Sequence, residues 1–140
     1  MYKLFAAACA FISVPVIAAS APFTGIDYSG EYQCKGHDSH AGDFEGIVRM
    51  TLDHNQSTAD HGAYRYTMTM SDNTVYDGFA ATTGASMGIY FSHKDPALKD
   101  YGVGIATFEK ADNGKLHFSK YYYGPHYEGG GHGQEKCVQR

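Results

Sequence analysis

The sequence contains no tryptophan and only three cysteines in 140 residues. It has no basic excess: 11 Lys and Arg stand against 15 Asp and Glu, a formal net charge of −4. No basic stripe is available to neutralise a phosphate backbone, which argues against nucleic acid as a partner. One apolar run occurs, Leu4 to Ala19, and no second follows it. At roughly 16 residues it is short of the ~20 that a membrane-crossing helix needs. Behind Met1-Tyr2-Lys3 and ahead of the small residues Ala18-Ala19-Ser20, it reads as a secretory signal peptide, with Ala21 the new N-terminus. The expected organisation is a leader over residues 1–20 and a single domain over 21–140, secreted or periplasmic, with no membrane segment after cleavage. A lipoprotein reading of Cys9 fails on Ala6-Ala7-Ala8, which lacks the large aliphatic residue such a site uses.

Loss of the leader removes Cys9 and Lys3. The two cysteines left, Cys34 and Cys137, stand near the two ends of the mature domain. An even pair in an exported chain predicts a disulfide. Thiolate metal ligation suits an oxidising compartment less well.

A convincing helical stripe is also missing from the mature chain, whereas period-two alternation recurs throughout. Twelve tyrosines and 17 glycines suit strands and tight turns. The first strand is expected over Gly30 to Gly36. The second carries Phe44, Val48, Met50 and Leu52 on one face, and Glu45, Arg49, Thr51 and Asp53 on the other. A third sets Tyr64, Tyr66, Met68 and Met70 against Arg65, Thr67 and Thr69. The turn Ser71 to Thr74 leads to a fourth strand, Val75 to Thr82, and Gly84 to a fifth with Met87, Ile89 and Phe91. The sixth runs from Tyr101 to about Lys110, and Asp112-Asn113-Gly114 turns it into a seventh holding Leu116, Phe118 and Tyr122. Glycines 129 to 131 are expected to break the chain before a last short strand ending near Cys137.

Eight strands on short links predict an all-β antiparallel up-and-down barrel, closed by the one disulfide where its first and last strands meet. A β-sandwich is the alternative. On the fourth to sixth strands one face carries the small residues Gly78, Ala80, Gly88, Gly102, Gly104 and Ala106. Burying Phe79, Ile89, Phe91, Val103 and Ile105 instead is worth ~1.5–3 kcal/mol each, so the expected interior is solid. Ile47, Tyr76, Tyr90 and Phe108 would then point outward.

All eight histidines lie in the mature chain. A meander sends odd-numbered links to one end, which gathers His37, Asp38, His40 and Asp43 with His93, Lys94, Asp95 and Asp100, and with His126, Tyr127, Glu128 and His132. Several imidazoles with carboxylates nearby are chemistry that Zn²⁺ or Cu²⁺ takes, making His37, His40, His93 and His126 the candidate metal ligands. Solvated loop histidines that never converge, or a pH-responsive surface, are the alternatives. Tyr121, Tyr123 and Tyr127 are candidates for a ligand or partner surface, since tyrosine joins an apolar ring to a hydrogen-bonding tip.

Gly84-Ala85-Ser86-Met87-Gly88 matches a nucleophile elbow by letter, but that motif needs a strand-to-helix turn and here it opens a strand. Asp53-His54-Asn55-Gln56-Ser57 begins like a calcium loop, then has Thr58 for the required glycine and Tyr64 for the glutamate. Asn55-Gln56-Ser57 is a glycosylation sequon. No acid–base pair or nucleophile–base constellation stands out, so no enzyme is predicted.

Gly30-Glu31-Tyr32 resembles the G-x-W opening of lipocalins and avidins, with Tyr for Trp, and the resemblance implies a barrel. Tyr32-Gln33-Cys34 with a cysteine near the C-terminus resembles the small periplasmic barrels that inhibit lysozyme. Those use a loop similar to S-G-x-x-Y, where this chain has Thr83-Gly84-Ala85-Ser86-Met87. The sequence therefore predicts an exported binding barrel that takes a small ligand or a transition metal at its histidine-rich end. The alternative is a protein-interaction module such as a lysozyme-type enzyme inhibitor.

Overall fold

Strands form wherever apolar and polar residues alternate, because each residue then alternates between the interior and water. The computed structural model describes residues 21–140, so the leader assigned to residues 1–20 lies outside the described residues. Its strands are β1 (Gly30–Asp38), β2 (Gly42–Leu52), β3 (His61–Met70), β4 (Val75–Thr83), β5 (Ser86–His93), β6 (Tyr101–Lys110), β7 (Leu116–Gly124) and β8 (Gly131–Gln139). Each pairs antiparallel with the next and β8 pairs back onto β1, giving a closed eight-stranded barrel rather than a sandwich. Cys34 and Cys137 are direct register partners at the β1–β8 seam and form the disulfide. Among the described residues no helix is long and apolar enough to cross a membrane.

The last strand is not short. β8 begins at Gly131 and includes Gly133, whose missing side chain leaves room for the Tyr122 ring from β7. Closure needs a partner for both β7 and β1 along their lengths, and that demand overrides the weak strand propensity of glycine.

The interior differs most from the expectation. On β4 and β6 the small residues face inward, while Phe79, Val103 and Ile105 point to solvent at 64%, 57% and 68% exposure. On β5 the bulky residues Met87 and Ile89 do face in, and Gly88 faces out. Phe108, expected outside, is buried. The reason is volume matching around a narrow barrel: small inward residues lie beside large ones from neighbouring strands. A Cβ on Gly102 would come within 2.6 Å of the Phe91 ring, and one on Gly104 within 3.1 Å of the Lys120 stem.

The two ends of the barrel are unlike. At one, the segment before β1 folds across the opening, with a parallel bridge from Phe23 to Ala59 and the buried Tyr28 ring 4.1 Å from Phe108. Tyr28 donates its hydroxyl proton to the Gly84 carbonyl, and Tyr32 donates to the Tyr28 carbonyl. Phe108, Phe118, Tyr32 and Val48 pack beneath this plug. The other end, where the β1–β2, β3–β4, β5–β6 and β7–β8 links gather, is open.

Candidate functional site

The open end forms a cup of about 160 Å³. Its apolar wall is Phe44, Met68, Met70 and Phe91, contributed by β2, β3 and β5. Tyr66, Tyr76 and Tyr122 add phenol rings from β3, β4 and β7, and Tyr127 stands at the rim with Glu128. The Phe91 ring sits edge-on to both Tyr76 and Tyr122, at 5.9 and 5.7 Å between centroids.

At the floor lies an ion pair that the sequence analysis did not anticipate. Lys120 and Glu135 are register partners on β7 and β8, and both point inward. Their side chains are 2% and 0% exposed, and Lys120 Nζ is 2.6 Å from Glu135 Oε1. Lys120 also donates a hydrogen bond to the Tyr66 hydroxyl at 3.1 Å. Its ammonium sits 5.3–5.4 Å from the centroids of the Tyr66, Phe91 and Tyr122 rings. Burial alone would pull the Lys120 ammonium down, but the Glu135 carboxylate and the Tyr66 hydroxyl outweigh it and hold the group above the usual lysine range. Burial pushes Tyr66 up to about 12, against the lowering effect of Lys120. Glu135 Oε1 is paired with the Lys120 ammonium, and Glu135 Oε2 has no hydrogen-bond partner among the described residues.

Two phenol–carboxylate pairs brace the mouth. Tyr122 donates to Asp38 Oδ2 at 2.7 Å, and Tyr76 donates to Asp100 Oδ2 at 2.7 Å. Burial and then the carboxylate partner drive both phenols well above the usual tyrosine range, so each remains the proton donor. Desolvation raises Asp38, but hydrogen bonds from Tyr122 and from the His40 and Ala41 amides outweigh it and leave Asp38 below the usual carboxylate range.

The predicted metal ligands share this end without converging. His40 lines the cup. His93 lies 5.7 Å from the Tyr76 ring and accepts a hydrogen bond from the Asp95 amide. His37 is outside the barrel, 2.7 Å from Asp43, and His126 rests 5.5 Å from the Tyr101 ring. Among the described residues, the one group of three ligand-type atoms within 4.8 Å is Cys34, Glu135 and Cys137, and its two sulfurs are bonded to each other. Tyr121 and Tyr123 point outward from β7 and away from the cup, so of the three candidate tyrosines only Tyr127 reaches it.

Tyr66, Tyr76, Tyr122 and the Lys120–Glu135 pair are among the site residues that sequence reasoning missed. A signal for the pair was present. Lys120 is in phase with Phe118 and Tyr122, and Glu135 is in phase with Cys137, so two opposite charges fall on inward positions of neighbouring strands. No protein-family model matches this chain, and no curated protein sequence matches it significantly.

Proposed function

We propose that this protein is a small-molecule-binding barrel whose site is the cup between the odd-numbered links. The carrying observation is the cup itself, about 160 Å³ with apolar walls and a polar floor. An apolar cavity of about 150 Å³ is enough for benzene, so the ligand, or the part of it that enters, has roughly the size of one ring. A concave, mostly apolar site with a few fixed polar groups is the usual form of a ligand pocket. Of the two ligands expected from sequence, the small molecule is preferred over Zn²⁺ or Cu²⁺ because the candidate histidines lie apart while the cup is continuous. Export belongs to the same reading, since a disulfide suits an oxidising compartment.

The test is a ligand-observed and protein-observed NMR screen with ring-sized fragments on the disulfide-bonded protein. Binders should shift the Met68 and Met70 methyls, and the Met68 shift should be lost in Met70→Trp, which fills the cup. A screen in which no fragment moves either methyl would sink the proposal.

A protein partner is the second reading, and the outer face favours it. Phe79, Tyr90, Val103 and Tyr123 are successive register partners across β4 to β7, with Ile105 and Tyr121 beside them. Contiguous exposed apolar surface marks interaction sites. Val103→Glu should abolish any complex formed through this face and leave fragment binding untouched.

A further inference from the structure

The chemistry of the cup selects among small molecules. Resting on the reading above, we infer that its ligand is a small organic cation, an ammonium or guanidinium group carried on a ring-sized apolar body. The residues lining the cup include four carboxylates, Asp38, Asp100, Glu128 and Glu135, against one lysine. Lys120 is already committed to Glu135 and Tyr66, which leaves the mouth with three acidic groups and no fixed positive charge.

Hydrogen-bond direction makes the same selection. The Tyr76 and Tyr122 hydroxyls each use their single proton on a carboxylate, so they offer only lone pairs to a ligand. At the floor, Glu135 is wholly buried with Oε2 unpartnered. An anionic or acceptor-only ligand would meet acceptors at the mouth, and at the floor a carboxylate whose ammonium neighbour is already balanced by it. A donor with positive charge complements them, and the faces of Phe91, Tyr76 and Tyr122 add cation–π attraction. Lys120 shows that the same rings tolerate an ammonium, since its Nζ stands over two of them and over Tyr66.

Three probes of matched size separate the possibilities: benzylammonium, benzyl alcohol and benzoate, each titrated at pH 7 into the intact protein by NMR. Benzylammonium should bind at least about tenfold tighter than benzyl alcohol, a difference of 1.4 kcal/mol, and benzoate should bind most weakly. Glu128→Gln, at the exposed rim and outside both phenol–carboxylate pairs, should weaken benzylammonium several-fold more than benzyl alcohol, so that the ratio of the two affinities falls. Equal binding of all three probes, or tightest binding of benzoate, would overturn the cation and leave a ring-binding cup standing. Failure of all three, with Met70→Trp indistinguishable from the parent, would overturn both.

Discussion

Replacing Lys120 with methionine isolates the charge of the buried pair. Methionine keeps an unbranched stem, so the packing over Gly104 survives while the ammonium is lost. Glu135, with its side chain wholly buried, is then left without its cation. Removing one partner of a buried pair costs about 3–5 kcal/mol, and a domain of this size has roughly 5–15 kcal/mol in total. In urea, with a slope of about 2 kcal/mol per molar, the midpoint should fall by about 2 M. The double variant Lys120→Met/Glu135→Leu removes both charges and leaves two apolar side chains of similar volume. Its stability should return to within about 1 kcal/mol of the parent or exceed it. Equilibrium unfolding followed by far-UV circular dichroism measures the parent and both variants. A single variant that costs less than about 1 kcal/mol, or a double variant no better than the single, would show that the pair is hydrated rather than buried.

The disulfide spans 103 residues of sequence, so Cys34→Ala/Cys137→Ala should lose up to about 4.7 kcal/mol on a chain-entropy basis, read as a lower thermal midpoint. Tyr28, Tyr32, Tyr64, Tyr66, Tyr76 and Tyr122 all have raised values, burial being the first cause in each. The native state therefore keeps protons that the unfolded chain releases above about pH 10, and stability should fall by about 1.4 kcal/mol per pH unit for each such tyrosine. Phenolate absorbance that rose fully before unfolding would contradict this. Asp38→Asn should cost about 1–2 kcal/mol at pH 7. Because the native Asp38 value is lowered, that difference is present above the ordinary carboxylate range and should close as the pH falls through the native value. Phe118→Ala should cost about 3–5 kcal/mol, whereas Phe79→Ser, on the outer face, should change stability by less than about 0.5 kcal/mol.

The barrel was legible because alternation is strong where one face meets water. In β2 and β3, Val48, Met50, Tyr64, Tyr66 and Met68 mark the inner face with little ambiguity, and the cysteines mark the seam. On β4 and β6 both faces carry apolar residues, and the rule of burying the larger ones failed for Phe79, Val103 and Ile105. What decides there is the volume available beside Phe91 and Lys120, which depends on register between strands and not on any one strand. The cup was half legible: link parity gathers Asp38, His40, Asp100 and Glu128 at one end. Tyr76 was expected outside, yet its hydroxyl braces Asp100 at the mouth. The histidines were the conspicuous residues there, but His37 is held by Asp43, His93 lies against Tyr76 and His126 against Tyr101, each apart from the others.

The seam disulfide also decides how the molecule meets mechanical load. Residues 35 to 136 lie inside the covalent loop, and the described ends at residues 21 and 140 emerge together on the plugged side. Tension applied between those ends passes through the sulfur–sulfur bond after peeling only the segment before Cys34 and the last residues of β8. The residues that line the cup, all between Cys34 and Cys137, carry none of it. A pulling experiment should therefore show a short extension and then a stiff stop, and only reduction should expose the barrel to force.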